Sequence, residues 1–174
     1  DLVDTLDAGP QPILWTSGAA ALAVGAAEPV RILAGVLGNT RDLVVSRQHL
    51  MLVGGPEVEL LFGEAEVLAA AKDLVDGVGM LRDTGRRMIR YHHLLLPDHH
   101  VLIADGALAE SLHPGPMAMA ALGHIKAADL RSQVGETRLG ALSRQPAARR
   151  VLKAHEAAVL RAMRGPVQQG LLAA

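Results

Sequence analysis

The sequence predicts a mainly β domain over residues 1–115, followed by a helical C-terminal extension over residues 116–174. Three observations carry this. Short apolar runs such as Leu43-Val44-Val45, Leu94-Leu95-Leu96 and Val101-Leu102-Ile103 sit between Pro, Asp, Asn and Gly, and runs of that length bounded by turn formers suit buried strands better than helices. Period-two alternation opens the chain at Leu2, Asp4 and Leu6 and returns at Val30, Ile32 and Ala34. After Gly115 the character changes to Ala-rich segments with helical spacing.

Residues 1–17 alternate up to an Asp-Ala-Gly-Pro turn and restart with Ile13, Leu14 and Trp15, which is a hairpin signature. Residues 17–28 are rich in Ala and Gly and read as a weakly specified strand and loop. From Pro29 the pattern strengthens: a strand through Val30 and Ile32, turns at Gly35 and Gly38-Asn39, and a short buried strand at 43–45. Ser46-Arg47-Gln48-His49 follows that strand directly. Residues Glu59 to Gly63 look like a strand and turn, and the apolar positions 67, 68, 71, 74 and 75 give a short helix at about 69 to 75. Arg82 to Arg90 reads as a basic, solvated connection.

The stretch Tyr91 to Gly115 holds His92, His93, His99 and His100 around two apolar runs broken at Pro97-Asp98 and closed at Asp105-Gly106. It reads as strand, turn, strand, turn, and an antiparallel return across a tight turn would bring some of these histidines together. In the extension, helices are expected at Met117 to Ile125 and Ala147 to Met163, with Pro114, Pro116 and Pro146 where helices start. The second places positions 151, 152, 155, 159, 160 and 163 on one face and Arg or Lys on the other, the pattern of a helix that packs on its own domain.

Composition narrows the function classes. With 174 residues and half of them apolar, the chain buries one sizeable core. A net charge of -1 gives no electrostatic basis for capturing nucleic acid or an anionic membrane, and one Trp, one Tyr and one Phe leave no stacking platform for single-stranded nucleic acid. The absence of cysteine excludes disulfides, thiolate metal ligands and a thiol nucleophile within these residues. No apolar run reaches the length of a transmembrane helix, and there is no internal repeat or low-complexity tract.

The string YHHLLLPDHHVLIADGALAES resembles a late block of the Hint domain, the self-cleaving module shared by inteins and the hedgehog C-terminal region. It is similar above all to a bacterial branch of these domains, with departures at Pro97, Asp98 and His100. PVRILAGVLGNTRDLVVSRQHLMLV resembles the same branch over its whole length, and Ser46-x-x-His49 matches the family's Thr-x-x-His block. The resemblance implies a Hint-type horseshoe β fold, no cofactor and no metal. It also implies a nucleophilic Cys or Ser upstream of Asp1, in a segment that this sequence is expected to lack, so that as it stands the chain is expected to be inert.

The implied chemistry is attack by that first residue on the preceding peptide carbonyl, which turns an amide into an ester or thioester. The partner is the chain's own N-terminal flanking polypeptide. By the resemblance His49 protonates the departing nitrogen, Ser46 orients the scissile turn, His93 stands where inteins carry a functional Asp, and His99 matches the late histidine that activates the nucleophile or resolves the ester. Glu110-Ser111 stands where inteins end in His-Asn and cannot perform the Asn cyclisation, so N-terminal cleavage without splicing is expected. These four residues, Ser46, His49, His93 and His99, are expected to converge.

Blander readings sit beside this one. Ser46 could cap a turn with His49 on the surface, and the fold could be a degenerate structural or interaction module. A third reading is a zinc site from His92, His93, His99 and His100 with Asp98 or Glu110. Adjacent strand histidines point to opposite faces, which limits each pair to one ligand from that side.

Overall fold

The computed structural model describes residues 1–165, and its β domain matches the fold class read from the sequence. Three antiparallel sheets form it. The largest contains β1 (Leu2–Thr5), β2 (Gly9–Pro12), β6 (Leu50–Gly54), β7 (Glu66–Ala70), β10 (Val101–Ala104) and β11 (Ala107–Glu110), in the order β2-β1-β10-β11-β6-β7. A long two-stranded ribbon pairs β3 (Trp15–Leu22) with β9 (Met88–Leu95), and a small sheet runs β5-β4-β8 from β4 (Pro29–Ile32), β5 (Leu43–Ser46) and β8 (Met80–Arg82). The helices are α1 (Pro56–Phe62), α2 (Ala71–Leu74), α3 (Pro116–Val134), α4 (Glu136–Leu142) and α5 (Ala154–Arg164).

Several local expectations need correction. The first hairpin exists, but its return strand is β2, with Leu2 opposite Pro12; Trp15 instead opens β3, opposite Leu95. Residues 59–63 are the end of helix α1. Pro56 at its start, Glu57 and Glu59 in its first turn and Gly63 in the left-handed cap (φ 68°) are helix start and stop signals that outweigh the apolar run. The helix expected near 69–75 shrinks to α2, because residues 67–71 are almost wholly buried beside β6 and a strand with both faces covered loses its alternation.

The histidine-rich strand does not fold back on its successor. β9 pairs with β3, whereas β10 pairs with β1 and β11. β10 and β11 join through Asp105-Gly106, both in left-handed backbone (φ 51° and 92°), the geometry of a two-residue hairpin turn. A Cβ on Gly106 would lie 2.4 Å from the Gly38 carbonyl oxygen, so only glycine fits there. The basic connection reduces to residues 83–87, with Arg82 and Arg90 inside flanking strands.

In the extension, α3 runs past Ile125 with a break at Gly123 (φ 75°), and α4 has no counterpart in the reading above. α5 starts at Ala154 and not near Pro146, because residues 150–152 pair with Leu68 in extended form: the Leu68 N–H donates to Arg150 (2.8 Å) and the Leu152 N–H to Leu68 (2.8 Å). Glu156 then accepts from the Lys153 amide (2.8 Å) and closes the helix start. The buried residues here are Leu152, Ala157 and Leu160, whereas Val151, Val159 and Met163 are exposed. Residues 166–174 lie outside the described residues.

Leu152, Ala157 and Leu160 join Val30, Ile32, Met51, Val53, Val67 and Met80 in the main core cluster. A second cluster packs Trp15 and Leu95 of the ribbon against Leu122, Leu130, Leu139 and Leu142 of α3 and α4, with Trp15 donating its indole N–H to Asp129 (2.8 Å). Among the described residues no helix is long and apolar enough to cross a membrane.

Leu160 is fully buried in the main cluster. Leu160→Ala should therefore cost about 2–5 kcal/mol, read as a lower urea midpoint with an unchanged slope. A cost within the surface range of about 0.5 kcal/mol would show that α5 contributes nothing to the core.

Candidate functional site

The Ser46 to His49 turn connects β5 to β6 and is fixed on every side. The His49 N–H donates back to the Ser46 carbonyl (3.1 Å), while Ala71 and Lys72 at the start of α2 donate to the carbonyls of His49 (2.9 Å) and Arg47 (3.0 Å). Ser46 pairs with Pro29 in the small sheet, and Arg47 reaches Glu28 (3.6 Å). The turn is a rigid post-strand loop on two sheets, the setting in which side chains are held for chemistry.

Glu110 meets this turn from β11. Met51 pairs with Ala109, which places Leu50 opposite Glu110, and the Leu50 N–H donates to Glu110 Oε1 (3.0 Å). Glu110 Oε2 lies 3.4 Å from Nε2 of His99, an ion-pair distance without hydrogen-bond alignment. His99 is buried, and its Nδ1 accepts from the Ala148 N–H (3.1 Å), which leaves Nε2 as the proton-bearing nitrogen of the neutral ring. The His99 ring also rests against His113, with centroids 4.9 Å apart.

His93 arrives from the ribbon. Strand alternation puts Trp15 and Ser17 on one face of β3 and their partners Leu95 and His93 on the same face of the pair. Trp15 and Leu95 share a core cluster with α3, and Lys126 of α3 lies close enough to His93 for its charge to act on the ring. Burial pushes His93 down to about 4, helped by the charges of Lys126, His49 and His92. Burial also lowers His49, and there the Glu110 carboxylate opposes it. The two imidazoles are thus electrostatic neighbours in unlike settings, one facing a carboxylate and the other facing cations.

Of the four residues singled out from the sequence, Ser46 and His49 share one turn, the charge of His49 acts on His93, and His99 lies 3.4 Å from Glu110, whose other oxygen bonds the Leu50 amide that follows the turn. Sequence reasoning gave Glu110 no part in this site. It missed Ser17 as well, which lies opposite His93; Ser17 Oγ and His93 Nδ1 are both buried without a hydrogen-bond partner among the described residues. The Glu-Ser pair that ends the histidine-rich block signalled Glu110, whereas nothing in an Ala-rich strand marked Ser17.

His92 turns the other way. It sits opposite Gly18 and is exposed, and a Cβ on Gly18 would come within 2.8 Å of its ring. Among the described residues no three His, Asp or Glu side chains form a group able to hold a metal ion, so the zinc reading finds no ligand set here.

A family model described as Hint domain matches residues 1–116. No curated protein and no solved structure matches the chain.

The setting of His93 has a consequence for stability. With its folded value near 4 and its ordinary value at 6.5, the unfolded chain binds the extra proton first as pH falls, so folding loses stability from about pH 6.5 down to about pH 4. His93→Gln should flatten this part of the urea-midpoint profile. An unchanged pH slope in that variant would mean that His93 is not held neutral by the fold.

Proposed function

We propose that this chain, which belongs to the Hint domain family through residues 1–116, is an autoprocessing domain that cleaves the peptide bond at its N-terminal junction without splicing. The observation that carries the reading is the meeting of the Ser46 to His49 turn with His93 and Glu110, from elements far apart in sequence. These groups come from a loop, a ribbon and an interior strand of the large sheet, and a shared task accounts for their assembly. The bacterial hedgehog/intein branch remains the subgroup this reading favours.

The reaction needs an upstream thiol or hydroxyl. That group adds to the carbonyl of the residue before it, the C–N bond breaks, and the departing amine takes a proton, leaving a thioester or ester. An external thiol or water then attacks the new carbonyl, releases the flanking polypeptide and returns a proton to the leaving sulfur or oxygen. An amine is a poor leaving group unless protonated, so a placed acid is the main requirement.

Burial lowers both imidazoles, and His49 alone has a carboxylate opposing it, an asymmetry that lets the two divide such work between them. His49, beside the Glu110 carboxylate, is the acid for the departing nitrogen; His93, held neutral beside Lys126, is the base toward the attacking nucleophile. Ser46 opens the same tight turn and orients the scissile segment. For His99 the reading departs from the base role that the resemblance implies: its Nδ1 is already taken by the Ala148 amide, so it serves by holding its neighbours. The exit step is hydrolysis or transfer, since Glu110-Ser111 offers no Asn to cyclise.

The test places a segment with Cys or Ser at the junction ahead of the chain and a reporter before it, then adds dithiothreitol. The expected result is a reporter released at the junction, slowed about a hundredfold or more by His49→Ala. Release indifferent to His49→Ala would sink the mechanism, and no release with either nucleophile would favour a structural module with a Hint fold.

A further inference from the structure

We infer that Glu110 is a positioning residue of this site, one that fixes the start of β6 beneath His49, presents its carboxylate to that imidazole, and is itself propped from behind by His99. The inference rests on the autoprocessing reading and deepens it. The steps above place a carboxylate beside His49 but give Glu110 no task of its own, and the resemblance assigns it none.

The geometry is specific. A regular antiparallel rung at Leu50 would use a backbone acceptor, but the Leu50 N–H goes to the Glu110 side chain (3.0 Å). The carboxylate therefore closes the sheet just where the Ser46 to His49 turn leaves it. Its second oxygen faces His99 Nε2 at 3.4 Å, and the Glu110 side chain is only 17% exposed, so solvent screens it weakly. His99 is held in turn by the Ala148 amide, from a segment beyond residue 116. The chain of contacts runs from the C-terminal extension through His99 and Glu110 to the catalytic turn.

Charge supplies the second half of the argument. Burial discourages a proton on His49. Glu110 is the neighbour whose charge acts the other way on His49. A buried acid that must donate at neutral pH needs such a counter-charge. Glu110 is also held by the amide of Leu50, the residue that follows His49, so charge and position are set together.

The test uses two variants and two readouts. Glu110→Gln keeps the size and the Leu50 acceptor but removes the charge, and Glu110→Ala removes both. Histidine-resolved NMR titration of the chain as it is should show His49 losing its proton at lower pH in Glu110→Gln. Leu50 amide exchange should stay slow in Glu110→Gln and accelerate in Glu110→Ala. In the reporter fusion, Glu110→Gln should slow release about tenfold at neutral pH, with activity recovering toward acid pH, a shift that a purely structural defect would not produce.

An unchanged His49 titration in Glu110→Gln overturns the inference whether or not the fusion cleaves. A shifted titration with unchanged release overturns the role in the reaction. A shifted titration in a fusion that never cleaves supports the Glu110 to His49 coupling and counts against the autoprocessing reading instead.

Discussion

The pairing of β6 with β11 at Met51 and Ala109 is the constraint on which the rest depends. Met51 is fully buried and Ala109 nearly so, which locks the register: a slip by one residue would turn both to the opposite face. With that register set, Leu50 falls opposite Glu110, and the turn carrying Ser46 and His49 leaves the sheet beside a carboxylate. The main core, the position of the turn and the electrostatics at His49 therefore follow from one pair of strands.

The second support is the β3 and β9 ribbon. Its alternation sends Trp15, Leu95, Ser17 and His93 to one side and Gly18 and His92 to the other. α3 covers the first side, anchored by the Trp15 bond to Asp129. The same docking brings Lys126 toward His93. Burial beside a cation holds His93 neutral, while at His49 burial also disfavours the proton and the Glu110 carboxylate opposes it. The fold thus separates two chemically identical rings by what surrounds each.

Much of this was legible in the sequence. Leu43 to Val45, the Ser46-x-x-His49 spacing and the Asp105-Gly106 turn are local signals, and each formed the element they indicate. The opposite orientation of His92 and His93 follows from strand geometry alone. What failed were decisions needing tertiary information. Glu59 to Gly63 is apolar enough for a strand until Pro56 and Gly63 are weighed as helix ends, and of the helix expected at about 69 to 75 only Ala71–Leu74 forms, because β7, a strand buried on both faces, has no polar side to mark where it ends. The partner of β9 could not be read from its own residues, since it lies more than sixty positions away at Trp15 to Leu22. The Glu-Ser pair marks Glu110 in the sequence, but its place beside the turn comes from the strand opposite it.

The central claim is that His49 stands at the scissile bond, with Glu110 and His93 to either side. A crystal structure of a fusion carrying a flanking polypeptide and junction ahead of the domain, with Ala in place of the nucleophile so that the junction stays intact, tests it most directly. The expected result is a His49 ring nitrogen within about 2.6–3.2 Å of the scissile amide nitrogen, or one water away, with Ser46 beside the same peptide. A junction seated away from His49, with that imidazole in contact only with its own fold, would contradict the account.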